Sequence, residues 1–327
     1  MRAQVLDLLT AEIRGELSLG EITGNLLTGF TVDSLRVRVD GQPVLQADRL
    51  EVRYNPLVLL FDVPRFRRIT LLRPDVHLWR TAVGAWNIQG FLPASSPDTS
   101  TSSSTLRIDR LEILEGEFSI VDSSALTPGP ESAKPVDTAG FNYRRLFLHD
   151  VNLRAGVRLD ADLIEASIRE LTFNTTEPTF QLRTLRGEFE VRPQAVSVQG
   201  MYVETGGSSL TLDVNLRDIN LLRIQTLADF AESPVDLTLH ADHVDLRELR
   251  QFLPEPLFFL DQSVGLDLEA TGRFGRLQVE KLNLRMPRTS ISLEGSVANL
   301  HRPADLELDV RSTEAVIHGG ALRTPLA

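Results

Sequence analysis

From Phe30 onward, apolar and polar residues alternate along most of this chain. Leu210, Leu212, Val214 and Leu216 are separated by single residues, as are Val235, Leu237 and Leu239. Val264, Leu266, Leu268 and Ala270 repeat the pattern, and so do Leu306, Leu308 and Val310. A period of two gives each strand one buried and one wet face, as antiparallel sheets require. About fifteen to eighteen strands are predicted on this basis. Helical spacing is confined to the start of the chain, where Val5, Leu8, Leu9 and Ile13 stand against Arg2, Asp7 and Glu12. It recurs more weakly over 221–230 and 246–253, the latter stopped by Pro254 and Pro256. Residues 1–15 are therefore expected to form a short amphipathic helix that caps one end of the β-structure. Binding to a membrane surface is the alternative for it.

A second pattern interrupts the alternation. Phe30 and Val32 are followed by two polar residues, Asp33 and Ser34, before Leu35 and Val37 resume it. The same slip occurs at Asp48–Arg49, Asp109–Arg110, Arg144–Arg145, Arg169–Glu170, Arg217–Asp218 and Glu280–Lys281, with a partial copy at Arg67–Arg68. In a regular strand two successive polar residues would turn the second half onto the wrong face. A bulge within one strand, or a tight turn between two, would restore the facing. Two-residue hairpins need Gly or Asn at positive φ and these pairs supply neither, so a bulge or bend is expected. Repeated bulges suit a curved sheet.

Two Ser-, Thr- and Pro-rich stretches, 93–105 and 123–140, are expected as loops or disordered excursions from an otherwise continuous β-structure over 16–327. A softer break is expected at 174–178. The formal net charge of -11, without a basic block, argues against nucleic acid as a partner. With no cysteine there are no disulfides or thiolate metal sites. No stretch reaches the roughly 20 apolar residues of a membrane-spanning helix.

No catalytic constellation emerges, and the chain is read as a non-enzyme without cofactor. His240 and His243 are the only close pair among the six histidines. Three residues apart on an extended strand, they are expected to face opposite sides and not to share a metal. Gly206–Gly207 and Gly319–Gly320 read as turns, and Trp86 as a packing anchor after a turn at Gly84.

Near the N-terminus, Gly15, Gly20, Gly24, Gly29 and Phe30 precede the first slipped strand. Ile69 to Leu72, Pro74, Val76, Leu78 and Trp79 follow, then Gly84, Trp86 and Asn87. This order resembles the N-terminal region of the AsmA-like and TamB-like proteins of diderm bacteria. Later segments such as Ile291, Leu293, Gly295, Val297 and Leu300 are similar to their repeating strand units.

The resemblance implies an elongated, curved, antiparallel all-β sheet forming a half-open apolar groove, the β-taco. It implies a periplasmic protein, anchored to the inner membrane, that conducts phospholipid toward the outer membrane. TamB-like members also pair with an outer-membrane assembly barrel. The chain lacks the anchor helix and is shorter than such proteins, so it is read as part of a longer one.

About sixteen strands spaced about 4.8 Å apart would extend roughly 75 Å. The expected groove lining is Phe189, Val191, Val196, Val198, Leu210, Leu212, Val214, Leu237, Leu239, Leu266, Leu268, Leu282, Leu284, Ile291 and Leu293. Such a lining would hold acyl chains by hydrocarbon area alone, at about 0.8 kcal/mol per buried methylene. Alternation by itself is equally compatible with a closed β-sandwich, and a parallel β-helix is a third architecture. Two other functions stay open: a scaffold that assists outer-membrane protein assembly by strand addition, and an adhesin-like extracellular β-protein.

Overall fold

The computed structural model describes residues 16–25, 28–39, 41–54, 65–80, 86–87, 105–122, 145–160, 162–176, 179–219, 227–249, 262–287, 289–300 and 305–317. Those residues are all-β, with seventeen strands, in the range the alternation predicts. They fall into two units: residues 1–161 with 169–182, and residues 162–168 with 183–327. Strands β9 (Leu163–Thr175) and β10 (Phe180–Arg192) contribute residues to both. The helix expected over 1–15 lies outside the described residues, as do 93–104 and 123–140 of the two excursions. The weak helical expectations reduce to a 3-10 turn at Leu227–Phe230 and one α-turn, α1 (Leu246–Leu249); 221–226 and 250–253 lie outside the described residues.

The first unit is built on β1 (Glu16–Leu19), β2 (Ile22–Asn25), β3 (Gly29–Val39), β4 (Gln42–Tyr54), β5 (Arg65–Leu72), β6 (Asp75–Arg80), β7 (Leu106–Asp122) and β8 (Arg145–Asp160). Both β1 and β2 pair with β3, which pairs with β4. Strand β4 in turn pairs with both β5 and β6. Apolar residues meet in rows across these ladders because directly opposed residues share a face. One row runs Ile22, Val32, Leu50, Leu71, Ile113 and Leu153; another runs Phe30, Val52, Ile69, Leu111 and Ala155. Each cross-strand pair contributes about 0.2–1 kcal/mol, so the rows stabilise the sheet collectively.

One pairing departs from the expected antiparallel sheet: β5 and β6 run parallel to β7. A parallel pair needs a connection of about a dozen residues or more. The stretch between Arg80 and Leu106, which contains the Ser/Thr-rich excursion, supplies it. Within that stretch Asn87 turns back onto β6, its amide nitrogen donating to the His77 carbonyl at 2.8 Å and its Oδ1 accepting from the Trp79 N–H at 3.1 Å. Trp86 makes a β-bridge to Arg80, whose guanidinium lies 5.9 Å from the indole centroid. Trp86 thus anchors this return, as its sequence context suggests.

The slips at Asp33–Ser34, Asp48–Arg49, Arg67–Arg68 and Asp109–Arg110 lie within strands, and each faces another interruption. Asp33 lies opposite Arg49 and Leu35 opposite Ala47, so the slips of β3 and β4 are in register. Across β3, the chain breaks between β1 and β2 at Gly20–Glu21. There the Gly20 N–H donates to Ser34 O, and the Asp33 N–H to Glu21 O, both at 2.9 Å. On the far side of β4 the break between β5 and β6 at Arg73–Pro74 meets Glu115–Gly116 of β7, through Arg73 N–H to Leu114 O at 2.8 Å and Glu117 N–H to Pro74 O at 2.7 Å. Gly116 in turn is adjacent in register to Val151 of β8.

Ser34, Arg73, Glu115 and Asp150 all hold positive φ, from 46° to 63°. Side chains in this conformation cost about 1–2 kcal/mol each, and here they stack into one crease. A second line brings Arg67–Arg68 of β5 opposite Asp109–Arg110 of β7. Because the interruptions stack, apolar residues on both sides stay on one face. Val32 (0% exposed) and Leu35 (6%), from opposite sides of a slip, share one buried cluster with Leu19, Val37 and Ala47.

Candidate apolar binding face

The second unit is a meander of β11 (Ala195–Thr205), β12 (Ser209–Arg217), β13 (Pro234–Asp245), β14 (Ser263–Arg273), β15 (Arg276–Met286), β16 (Thr289–Ala298) and β17 (Glu307–Ile317). Each strand pairs antiparallel with the next. Slips recur here as bulges at Gln199–Gly200, Asp242–His243, Glu280 and Thr313. The Arg217–Asp218 slip instead ends β12, with Asp218 at φ 55° and Ile219 buried. Arg169–Glu170 lies inside β9, and Arg144 lies outside the described residues.

Register assembles the expected lining residues into rows. Met201, Leu212, Leu239, Leu268, Leu282 and Leu293 form a central row across six strands. On one side of it run Val198, Val214, Leu237, Ala270, Val279, Gly295 and Val310. Val196, Leu216 and Val235 lie beyond, followed by Leu277, Val297 and Leu308. On the other side run Ala241, Leu266, Leu284 and Ile291, with Leu210 packed against the same cluster. Phe189 and Val191 sit on β10, part-exposed. The list drawn from the sequence omitted Met201, Ala270, Val279 and Val297; the alternation around each of them was the available signal.

Burial is uneven across this face. One cluster of buried residues, Val235, Ala270, Leu277 and Val279, lies on one side of the central row. A second, Ala241, Val244 and Val264, lies on the other. All six residues of the central row are only part-buried. Five of the six are leucine and the sixth is methionine, all with an unbranched Cβ; no charged side chain enters the row. The row therefore presents hydrocarbon between two packed margins, chemistry suited to an apolar chain and to nothing that must be hydrogen-bonded.

The opposite face is polar. Asp213, Thr238, Glu269 and Lys281 oppose one another in sequence, and Lys281 Nζ lies 3.1 Å from Glu269. His240 Nδ1 lies 2.5 Å from Asp267 Oδ1, and Asp267 also pairs with Arg285. Partial burial works against the Asp267 carboxylate, but the hydrogen bonds from His240 and Arg285 win and hold it below the usual carboxylate range. A carboxyl depressed on folding adds stability above its unfolded value, and that stability is lost as pH falls through the folded one. Asp267→Asn is therefore expected to flatten the acid limb of the stability–pH profile, below about pH 4, in urea melts.

The bulge at Asp242–His243 corrects the expected facing of the histidines. His240 opposes Thr211 and His243 opposes Ser209, two positions on one face of β12. Their rings nonetheless diverge, His240 to Asp267 and Asp242, His243 to Ser263. Among the described residues no group of three or more His, Asp or Glu is placed to hold a metal.

The Gly206–Gly207 turn is pinned by Glu248 of α1, which accepts from Thr205 Oγ1 at 2.5 Å, Gly207 N–H at 3.0 Å and Ser208 Oγ at 2.9 Å. That explains the helical turn as a brace for the β11–β12 connection. A hollow of ≈ 400 Å³ lies among Gln278, Glu280, Glu294, Ser296, Asp309 and Arg311, on β15 to β17. Its acids make it unsuited to an apolar ligand. No helix among the described residues is long and apolar enough to cross a membrane. Comparison with family models, with curated proteins and with solved structures finds no match for this chain.

Proposed function

We propose that this chain is a segment of a bridge-like lipid-transport protein of the AsmA-like and TamB-like kind. It would stand in the periplasm of a diderm bacterium and conduct phospholipid acyl chains along the apolar face between inner and outer membranes. The sheet would form the half-open groove that the resemblance implies, with the inner-membrane anchor supplied by the longer protein and an outer-membrane assembly barrel as a partner. The observation that carries the reading is the part-exposed central row from Met201 to Leu293, continuous over six strands and free of charge.

An acyl chain lying along this row would cross strands about 4.8 Å apart, so that five intervals span roughly 24 Å. Burial of each methylene would contribute about 0.8 kcal/mol regardless of position along the row, which favours retention together with sliding. The test is native mass spectrometry and lipid extraction of the purified chain after incubation with phosphatidylethanolamine vesicles. Co-purifying phospholipid in near-stoichiometric amount is expected. Protein recovered free of lipid, folded and with unchanged mass, overturns the reading.

A further inference from the structure

Strand β6 carries two faces of different chemistry. Val76 and Leu78 oppose Phe118 and Ile120 of β7, and Val76 also opposes Leu45, which packs against the buried cluster of the first unit. Asp75, His77 and Trp79 alternate with them and stand on the other face, opposite Glu117, Ser119 and Val121. The parallel pairing brings Ser119 Oγ to 2.6 Å from His77 Nδ1, a residue 42 positions away, and His77 Nε2 lies 3.1 Å from Asp75 Oδ2. A carboxylate only accepts, so a neutral His77 ring carries its proton on Nε2 and leaves Nδ1 to accept from the Ser119 hydroxyl. Buried Asn87 clamps the strand at this point through the backbone of His77 and Trp79. On the far side of Ser119, its register partner on β8 is Phe147, 45% exposed, with the Arg145 guanidinium 5.4 Å from the ring centroid. Trp79 and Val121 are part-exposed, so apolar surface borders the hydroxyl.

We propose that Ser119, His77 and Asp75 form a hydrolytic site for neutral esters with an apolar acyl group. A hydroxyl, a base within hydrogen-bond reach and a carboxylate that orients the base are the parts of an activated nucleophile. Ser119 Oγ attacks the ester carbonyl carbon while its proton passes to His77 Nδ1. The carbon–oxygen bond to the leaving alcohol then breaks, and the alcohol departs with that proton. Water, deprotonated by His77, attacks the acyl-serine; the acid leaves and Ser119 regains its proton from His77. The net reaction turns an ester and a water into an acid and an alcohol. Asp75 acts through His77 and is a positioning residue. Trp79, Val121 and Phe147 supply the surface for the acyl group. Glu117 opposes Asp75 on the same face, and the two carboxylates disfavour an anionic substrate. The His77 and Asp75 side chains are 38% and 42% exposed, which leaves the site open to substrate. The proposal does not depend on lipid as the ligand of the apolar face.

The test is labelling of the whole chain with a fluorophosphonate, located by peptide mass, together with hydrolysis of p-nitrophenyl butanoate. Circular dichroism confirms that each variant folds. The label is expected on Ser119, and Ser119→Ala is expected to abolish both label and catalysed hydrolysis. His77→Gln is expected to slow hydrolysis by about a hundredfold or more. Asp75→Ala should lower kcat with little change in KM, and Asp75→Glu should recover part of the loss. Ser167→Ala removes a hydroxyl that donates to the Glu188 carboxylate at 2.7 Å instead of to an imidazole, and is expected to change neither reading. Folded natural protein that takes up no label, or takes it up at another residue, overturns the proposal. So does hydrolysis indifferent to Ser119→Ala or to His77→Gln. Lipid content measured on the same samples reads the transport proposal separately.

Discussion

Leu212→Asp is expected to abolish phospholipid retention while leaving the fold nearly as stable as before. Leu212 sits second in the central row, opposed by Met201 and Leu239, and is part-exposed. A carboxylate there keeps access to water, so the cost to folding is the lost cross-strand packing, about 1 kcal/mol or less. For a bound acyl chain the same carboxylate must be desolvated against hydrocarbon, which costs several kcal/mol and lowers affinity by orders of magnitude.

Ala270→Asp is the matched control. Ala270 lies on the same face, one position from the central row, but is 1% exposed within a packed cluster. A carboxylate there has no room and no partner, and unfolding of the second unit is expected. Thermal melts and lipid extraction on the two variants separate the readings. If Leu212→Asp unfolds the protein as Ala270→Asp does, the face is a closed core and not a binding surface.

Much of this was legible in the sequence because period two survives translation into structure directly. Leu237 and Leu239, or Leu266 and Leu268, could be assigned to one face without knowing their neighbours, and register then placed them in adjacent rows. The slips were legible for the same reason: an extra polar residue has to be absorbed somewhere, and Asp33–Ser34 or Glu280–Lys281 offered neither Gly nor Asn for a two-residue hairpin. Val279 and Leu282, on either side of the latter, do belong to one cluster.

What alternation cannot specify is the partner. Nothing in residues 65–80 distinguishes a strand that will run parallel to β7 from one that will run antiparallel, since the side-chain period is the same in both. The positive-φ positions were hidden too. Ser34, Arg73, Glu115 and Asp150 carry none of the glycine that usually marks such a conformation. They are held there by their surroundings. Arg73 pairs with Asp48 at 2.6 Å, and the Glu115 N–H donates to Asn152 Oδ1 at 3.1 Å, while Asn152 Nδ2 donates to the Asp150 carbonyl at 3.0 Å. The first two contacts link residues far apart in the chain, and a reading along a single strand does not contain them. The facing of His240 and His243 failed for a related reason, because a bulge at Asp242–His243 changes the count between them.

The crease makes one glycine structurally demanding, and Gly20→Val is expected to destabilise the first unit by about 3 kcal/mol. Gly20 occupies the break between β1 and β2, where the backbone of β3 approaches most closely. A Cβ added there would come within 1.9 Å of the Asp33 carbonyl oxygen and 3.0 Å of its carbon. Both are backbone atoms, so no side-chain rotation relieves the overlap, and the chain itself has to move. Moving it breaks the two hydrogen bonds that bridge the crease, from Gly20 N–H to Ser34 O and from Asp33 N–H to Glu21 O. It also lifts Leu19, which is 3% exposed, from its packing against Leu35 and Val37.

For a unit of this size, a loss of about 3 kcal/mol should lower the melting temperature by about 6–12 °C. Gly41→Val supplies the contrast. Gly41 sits at φ 73° in the β3–β4 turn, yet nothing lies within 4 Å of a Cβ placed on it, so only the conformational cost of about 1–2 kcal/mol applies. If the two variants lose equal stability in urea melts, the close approach at the crease contributes nothing. A larger loss at Gly20 would mean that the stacked interruptions hold the two halves of these strands on a common face.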